Sequence, residues 1–124
     1  MIKYEFELPG RISLNQYYSG MHWTKRARIT KEWEEFIYFL AKEQNAKFIT
    51  NYPISVAYEF HLKKQPPDCS NCVGMIKLIE DALKGVVWAD DDPKHINKLS
   101  IIIAAPIPKG TKEKVIISIK PSKH

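Results

Sequence analysis

Cysteine is scarce: the 124 residues hold two, Cys69 and Cys72, spaced as a single C-x-x-C. A four-ligand zinc site needs a second pair, and there is none. A zinc ion here would have to recruit remote ligands such as His61 or His95, so the simpler expectation is that the cysteines pack at a helix start. Also missing is any apolar run near the ~20 residues of a membrane span. No signal-peptide pattern precedes the first strand, because residues 1–8 carry Lys3, Glu5 and Glu7. Internal repeats and low-complexity tracts are absent as well. These gaps lead to an expectation of a reduced, cytoplasmic setting with no membrane partner.

What is present fits one domain with one core, spanning residues 1–124. Hydrophobic content of 44% and charged content of 27% are ordinary for a globular chain. The formal net charge is +5. Because Asp90, Asp91 and Asp92 are bunched, the remaining surface is more basic than the total. That balance suits a metal-dependent enzyme acting on polyanions, and it is also common among ordinary basic proteins.

Residues 2–8 alternate apolar and charged side chains, as a half-buried strand does, and Pro9-Gly10 ends it. Residues 11–24 have no period and read as a long ordered loop. From 25 to 44 the apolar residues Ile29, Trp33, Phe36, Ile37 and Leu40 recur at helical spacing, with Thr24 as N-cap. Lys25, Arg26, Arg28 and Lys31 crowd the first two turns, where the helix dipole disfavours cations. Either they serve an anionic partner or they are a solvated face. Residues 54–62 form a second strand, and a second helix is expected from Asn71, capped by Ser70 and ended by Gly85 at C′. Residues 86–88 read as a short return strand or bend. The segment from Ile96 is apolar on both faces between 101 and 104, which predicts a central strand covered on both sides. A last strand spans 114–120. The expected fold is therefore α+β: a mixed sheet packed by two main helices.

The informative stretch is 66–96, PPDCSNCVGMIKLIEDALKGVVWADDDPKHI. Asp68 sits before its helix and Asp90, Asp91 and Asp92 sit after the return. Adjacent aspartates repel unless they are exposed, protonated or neutralised by a cation. Mg²⁺ takes oxygen ligands and needs only one or two protein carboxylates. In an extended chain Asp90 and Asp92 would share one side and Asp91 the other. Lys77, about two turns into the helix, is placed to offset charge on a phosphate. The plainer alternative is a solvated acidic turn.

Taken together, Asp68-Cys69-Ser70-Asn71, then Lys77, then the 80–85 segment EDALKG, then the 90–96 segment DDDPKHI resemble the RusA-type Holliday-junction resolvases of bacteria, prophages and phages. Pro9-Gly10-Arg11 and Ser13-Leu14-Asn15 are similar to that family's start. The resemblance implies a RusA-like fold and a homodimeric, Mg²⁺-dependent endonuclease that cuts four-way or related branched DNA in recombination and repair, with Mn²⁺ able to substitute. By position it implies catalytic roles for Asp68, Asp91 and Lys77. Metal ligation falls to Asp68, Asp90 and Asp91, with Ser70 and Asn71 supporting them. Where the family pattern has a second aspartate this chain has Ser70, which cannot supply the same charge; Glu80, Asp90 or Asp92 would have to compensate. Candidate phosphate contacts are Arg11, Lys25, Arg26, Arg28, Lys31, Lys63, Lys64, Lys94 and Lys98. Two other readings stay open: a branched-DNA-binding protein that does not cleave, and a small structural or interaction protein.

Overall fold

A four-stranded mixed sheet with two helices against one face makes up the fold, so the α+β expectation holds. The computed structural model describes residues 1–10, 23–63 and 68–122. Arg11 and Lys64, both proposed phosphate contacts, lie outside the described residues, as do residues 11–22 of the expected loop. In chain order the elements are β1 (Ile2–Glu7), α1 (Trp23–Glu43), β2 (Ile54–His61), a 3₁₀ turn (Cys69–Cys72), α2 (Val73–Leu83), β3 (Ile96–Ile103) and β4 (Lys114–Pro121). The sheet order is β1-β4-β2-β3. β4 runs antiparallel to both β1 and β2, while β2 and β3 are parallel and joined through α2.

Alternation decides which face is covered. Val56, Tyr58, Phe60, Val115, Ile117 and Phe6 are buried under the helices, whereas Ala57, Glu59, Ile116 and Ser118, one residue out of phase, are only half-buried. Trp33, Ile37 and Ala41 form the buried stripe of α1, at a strict i, i+4 spacing. The expected Phe36 is only half-buried. The helix starts one residue before the anticipated cap, so Thr24 lies inside it. Its end is set by Asn45, at φ 55, while the Gln44 amide bonds the backbone of Glu5 in both directions, at 3.0 and 2.7 Å. That pair of bonds ties α1 to β1.

Two expectations need correction, and the alternative left open for residues 86–88 is decided. Ser70 does not cap the second helix; residues 69–72 form a 3₁₀ turn with no side-chain cap and the α-helix begins at Val73. Residues 86–88 are a tight turn rather than a strand, closed by Gly85 N–H to the Trp88 carbonyl at 2.7 Å and Val87 N–H to the Leu83 carbonyl at 2.8 Å. Gly85 makes the turn possible at φ +83, the left-handed C′ conformation expected of it. Lastly, β3 is an edge strand and not a central one. Its double-sided apolarity leaves Leu99 45% and Ile102 46% exposed, which is why the pattern suggested cover on both sides. Cys72 packs fully buried and Cys69 is exposed, and neither is in a disulfide.

Candidate functional site

The turn after α2 folds the aspartates back along the helix. Asp91 reaches Lys77, its Oδ2 accepting from Nζ at 3.2 Å, while Asp81 lies 3.7 Å from the same ammonium, one helical turn on. This contact raises the Lys77 pKa, chiefly through the hydrogen bond from Asp91. Asp90 points elsewhere and pairs with Lys84 at 3.1 Å. Its pKa is lowered, first by the backbone N–H of Asp91 and then by Lys84. Asp92 turns the other way. Its Oδ1 sits 2.6 Å from His95 Nδ1 and also accepts from the backbone N–H of Lys94 and His95. An ionised carboxylate only accepts, so Nδ1 is the protonated nitrogen of His95, and its bond lowers the Asp92 pKa. Each of the three aspartates therefore has its own side-chain partner, a lysine ammonium for Asp90 and Asp91 and the His95 ring N–H for Asp92.

Glu80 completes the group from the helix side. It is half-buried, and burial, followed by the charge of Asp91, raises its pKa to about 7. Close to it lies Tyr58, fully buried, whose hydroxyl has no hydrogen-bond partner among the described residues. Burial pushes the phenol well above its ordinary value, and Glu80 and Asp91 push it the same way. The constellation is thus Lys77, Glu80, Asp81 and Asp91 near the Tyr58 hydroxyl.

Of the anticipated residues, Lys77, Glu80 and Asp91 come together, while Asp90 and Asp92 flank them facing Lys84 and His95. Asp68 is exposed beside the 3₁₀ turn, and its carboxylate makes no hydrogen bond or ion pair with the described residues; only its carbonyl is engaged, by Asn71 N–H at 2.9 Å. Ser70 is exposed and Asn71 half-buried on the same turn. Among the cationic candidates, Lys25, Arg28, Lys31, Lys94 and Lys98 are exposed, and Arg26 and Lys63 half-buried. Arg28 shares its charge with Glu32 at 3.9 Å. Arg26 and Lys31 line a groove of about 400 Å³ beside Trp23. Sequence reasoning missed the site roles of Asp81 and Tyr58. Asp81 was signalled by its i+4 spacing from Lys77, whereas Tyr58 reads as one more apolar position in β2.

The donors fit Mg²⁺ or Mn²⁺ in chemical type. They are all carboxylate oxygens, one of them half-buried with a raised pKa beside a second carboxylate, near a buried hydroxyl lacking a partner among the described residues. Among the described residues no group of three His, Cys, Asp or Glu side chains stands in ligating geometry, and Mg²⁺ bound with substrate phosphates does not require three. No helix among the described residues is long and apolar enough to cross a membrane. No family model matches this chain, and no curated protein matches it.

The Glu80 shift has a definite sign. Its pKa lies near 4.5 when exposed and about 7 in the fold, so across that window the folded state binds more protons. Glu80 therefore penalises folding least below the lower value, and its favourable protonated form is lost as pH rises through the upper one. Glu80→Gln is expected to flatten the stability–pH curve and, allowing for solvent screening, to stabilise the fold by about 1–2 kcal/mol at pH ~8. Urea titrations of both proteins at pH ~5 and ~8 read this directly.

Proposed function

We propose that this protein is a Mg²⁺-dependent endonuclease acting on branched DNA, hydrolysing a phosphodiester at the Lys77–Asp91 constellation. The observation that carries the reading is the 3.2 Å approach of Asp91 to Lys77 beside Glu80. It puts a cation for the phosphate and oxygen donors for a metal in one place. The similarity of residues 68–96 to RusA-type resolvases names the same Lys77 and Asp91, and it is the reason to expect a four-way junction as substrate and a homodimer as the working unit, since a two-fold junction presents two equivalent cleavage points.

In this reading Asp91 and Glu80 would hold the metal, and Asp68, exposed on the 3₁₀ turn and without an ion pair among the described residues, would join them. Bound Mg²⁺ would supply an activated water and neutralise charge on the scissile phosphate. Lys77 exchanges Asp81 or Asp91 for a phosphate oxygen and offsets the negative charge that develops there. Asp81 keeps the ammonium near the site when DNA is absent. Asp90 and Asp92, bound to Lys84 and His95, fix the turn that presents Asp91.

A second reading has its own support. Because residues 90–92 are each engaged by a side chain of the fold, Lys84, Lys77 and His95 in turn, and Ser70 stands where the family pattern has an aspartate, the protein would bind junctions without cutting them. One assay separates the two. A labelled four-way junction and a matched duplex are incubated with the protein, with and without Mg²⁺. Symmetric, Mg²⁺-dependent nicking of the junction is the expected result. Tight junction binding with no product in Mg²⁺ or Mn²⁺ would leave the binding module instead.

A further inference from the structure

The face of the sheet away from the helices is polarised along the strands. Strand register puts Lys120, Ser55 and Lys98 in one row across β4, β2 and β3, and Lys3, Ser118, Ala57 and Ser100 in the next row, which also takes in β1. In the following rows come Glu5, Ile116, Glu59 and Ile102, then Glu7, Lys114 and His61. The carboxylates of the acidic half have partners within it: Glu5 pairs with Lys114, Glu7 with Lys112 at 2.9 Å, and Glu59 lies 3.0 Å from the His61 ring. The lysines of the basic half do not. Lys3, Lys98 and Lys120 are exposed and make no ion pair with the described residues. Between Lys98 and Lys120 the small side chains leave a depression of about 200 Å³, its floor made by Ser55, Ser100 and Ser118 with Ala57 among them and Met1 and Ile102 at its sides.

Hydroxyl donors on a fixed strand floor, with unpaired ammonium groups around it, suit phosphate oxygens. Three cations without an ion-pair partner, on a face that no element among the described residues covers, call for a polyanion rather than an apolar partner. The position is also telling. The turn of residues 92–95 leads straight into β3, with Ile54 N–H bonded to the His95 carbonyl at 2.7 Å, so the basic half lies at the end of the sheet where the aspartate turn enters.

We infer that the open sheet face at Lys3, Lys98 and Lys120 is a nucleic-acid track, holding backbone phosphates on the Ser55–Ser100–Ser118 floor and leading the strand past the β3 edge toward Asp91. Only Lys98 of these three is apparent as a candidate from sequence order alone; register adds the others. The track gives position and no base sequence readout, and it engages through phosphates alone. It rests on the DNA reading of the Lys77–Asp91 site and deepens it.

The test needs no cleavage. Binding of a fluorescent four-way junction is followed by anisotropy in EDTA across about 50–200 mM salt for the parent, for a Lys3→Ala/Lys98→Ala/Lys120→Ala variant, and for Ser100→Glu, with circular dichroism confirming the fold of each. The triple variant is expected to bind ~10- to 100-fold more weakly at about 100 mM salt, with its log–log salt slope reduced by about 2–3, close to one per lost phosphate contact. Ser100→Glu is expected to weaken binding in the same direction. An unchanged affinity and slope in the triple variant, or no DNA binding by the parent, would overturn the track. So would concentration-dependent self-association that the triple variant abolishes without touching DNA binding, which would make the face a contact between copies. Lysine-dependent binding without Mg²⁺-dependent nicking would remove the nuclease reading alone; nicking with a lysine-independent salt slope would remove the track alone.

Discussion

Asp91→Asn is expected to lower Mg²⁺-dependent junction cleavage on the order of 10³-fold, about 4 kcal/mol of transition-state stabilisation, while junction binding in EDTA stays near the parent's. The substitution keeps the shape of the side chain and removes its charge. Three consequences follow from the geometry. Lys77 loses the charged acceptor whose hydrogen bond chiefly raises its pKa, and Asp81 at 3.7 Å becomes its remaining ion-pair partner. Glu80 loses one of the influences that hold its pKa near 7, with burial and the charge of Asp81 left to raise it. The proposed metal loses the carboxylate nearest the phosphate-binding lysine. Lys77→Ala is expected to cost less, on the order of 10²-fold, because it removes charge compensation but leaves the oxygen donors in place. Single-turnover cleavage of a four-way junction measures both. A parent-like rate for Asp91→Asn would take the metal site away from this turn.

How much of this was readable in the sequence depends on what kind of signal each element leaves. Strand alternation in residues 54–62 and the C′ role of Gly85 are local, and both were legible. The covered face of α1 was nearly so; the buried stripe is Trp33, Ile37 and Ala41, and Phe36, one residue before Ile37, falls at its margin. The edge position of β3 was not legible. Four isoleucines in eight residues look like a strand covered on both sides, but sheet order is decided by which strands pair, and β4 takes the place between β1 and β2. At the site, the approach of Lys77 and Asp91 was legible as a family-like spacing. The partners chosen by each aspartate were not, because a turn and not a strand carries them, and turn geometry sends Asp90, Asp91 and Asp92 in separate directions. The basic half of the open face was hidden for the same reason: Lys3, Lys98 and Lys120 are far apart in the chain and meet only through register.

Trp88 is the residue on which that turn depends, and Trp88→Ala is expected to destabilise the fold by about 3–5 kcal/mol, a large share of an ordinary domain's 5–15 kcal/mol. Its side chain is fully buried, and its carbonyl closes the turn by accepting from Gly85 N–H at 2.7 Å. Its indole N–H bonds the Glu80 carbonyl at 3.3 Å. That carbonyl also accepts from Lys84 N–H at 3.0 Å, so truncation leaves no orphaned acceptor and the cost comes from the cavity rather than from a lost bond. Trp88→Phe, which keeps most of the packing and gives up the N–H, should therefore cost only about 1–2 kcal/mol. The consequence for the site follows from position. Ala89 N–H is held by the Tyr52 hydroxyl at 2.9 Å, and the next residue is Asp90, so a turn that loses Trp88 lets the aspartates drift from Lys84 and Lys77 before the whole domain unfolds. Urea unfolding by circular dichroism gives the stability change. Cleavage assayed well below the unfolding midpoint should fall further for Trp88→Ala than its unfolded fraction explains. A loss of activity that merely tracks that fraction would show that the turn is held by its backbone bonds alone.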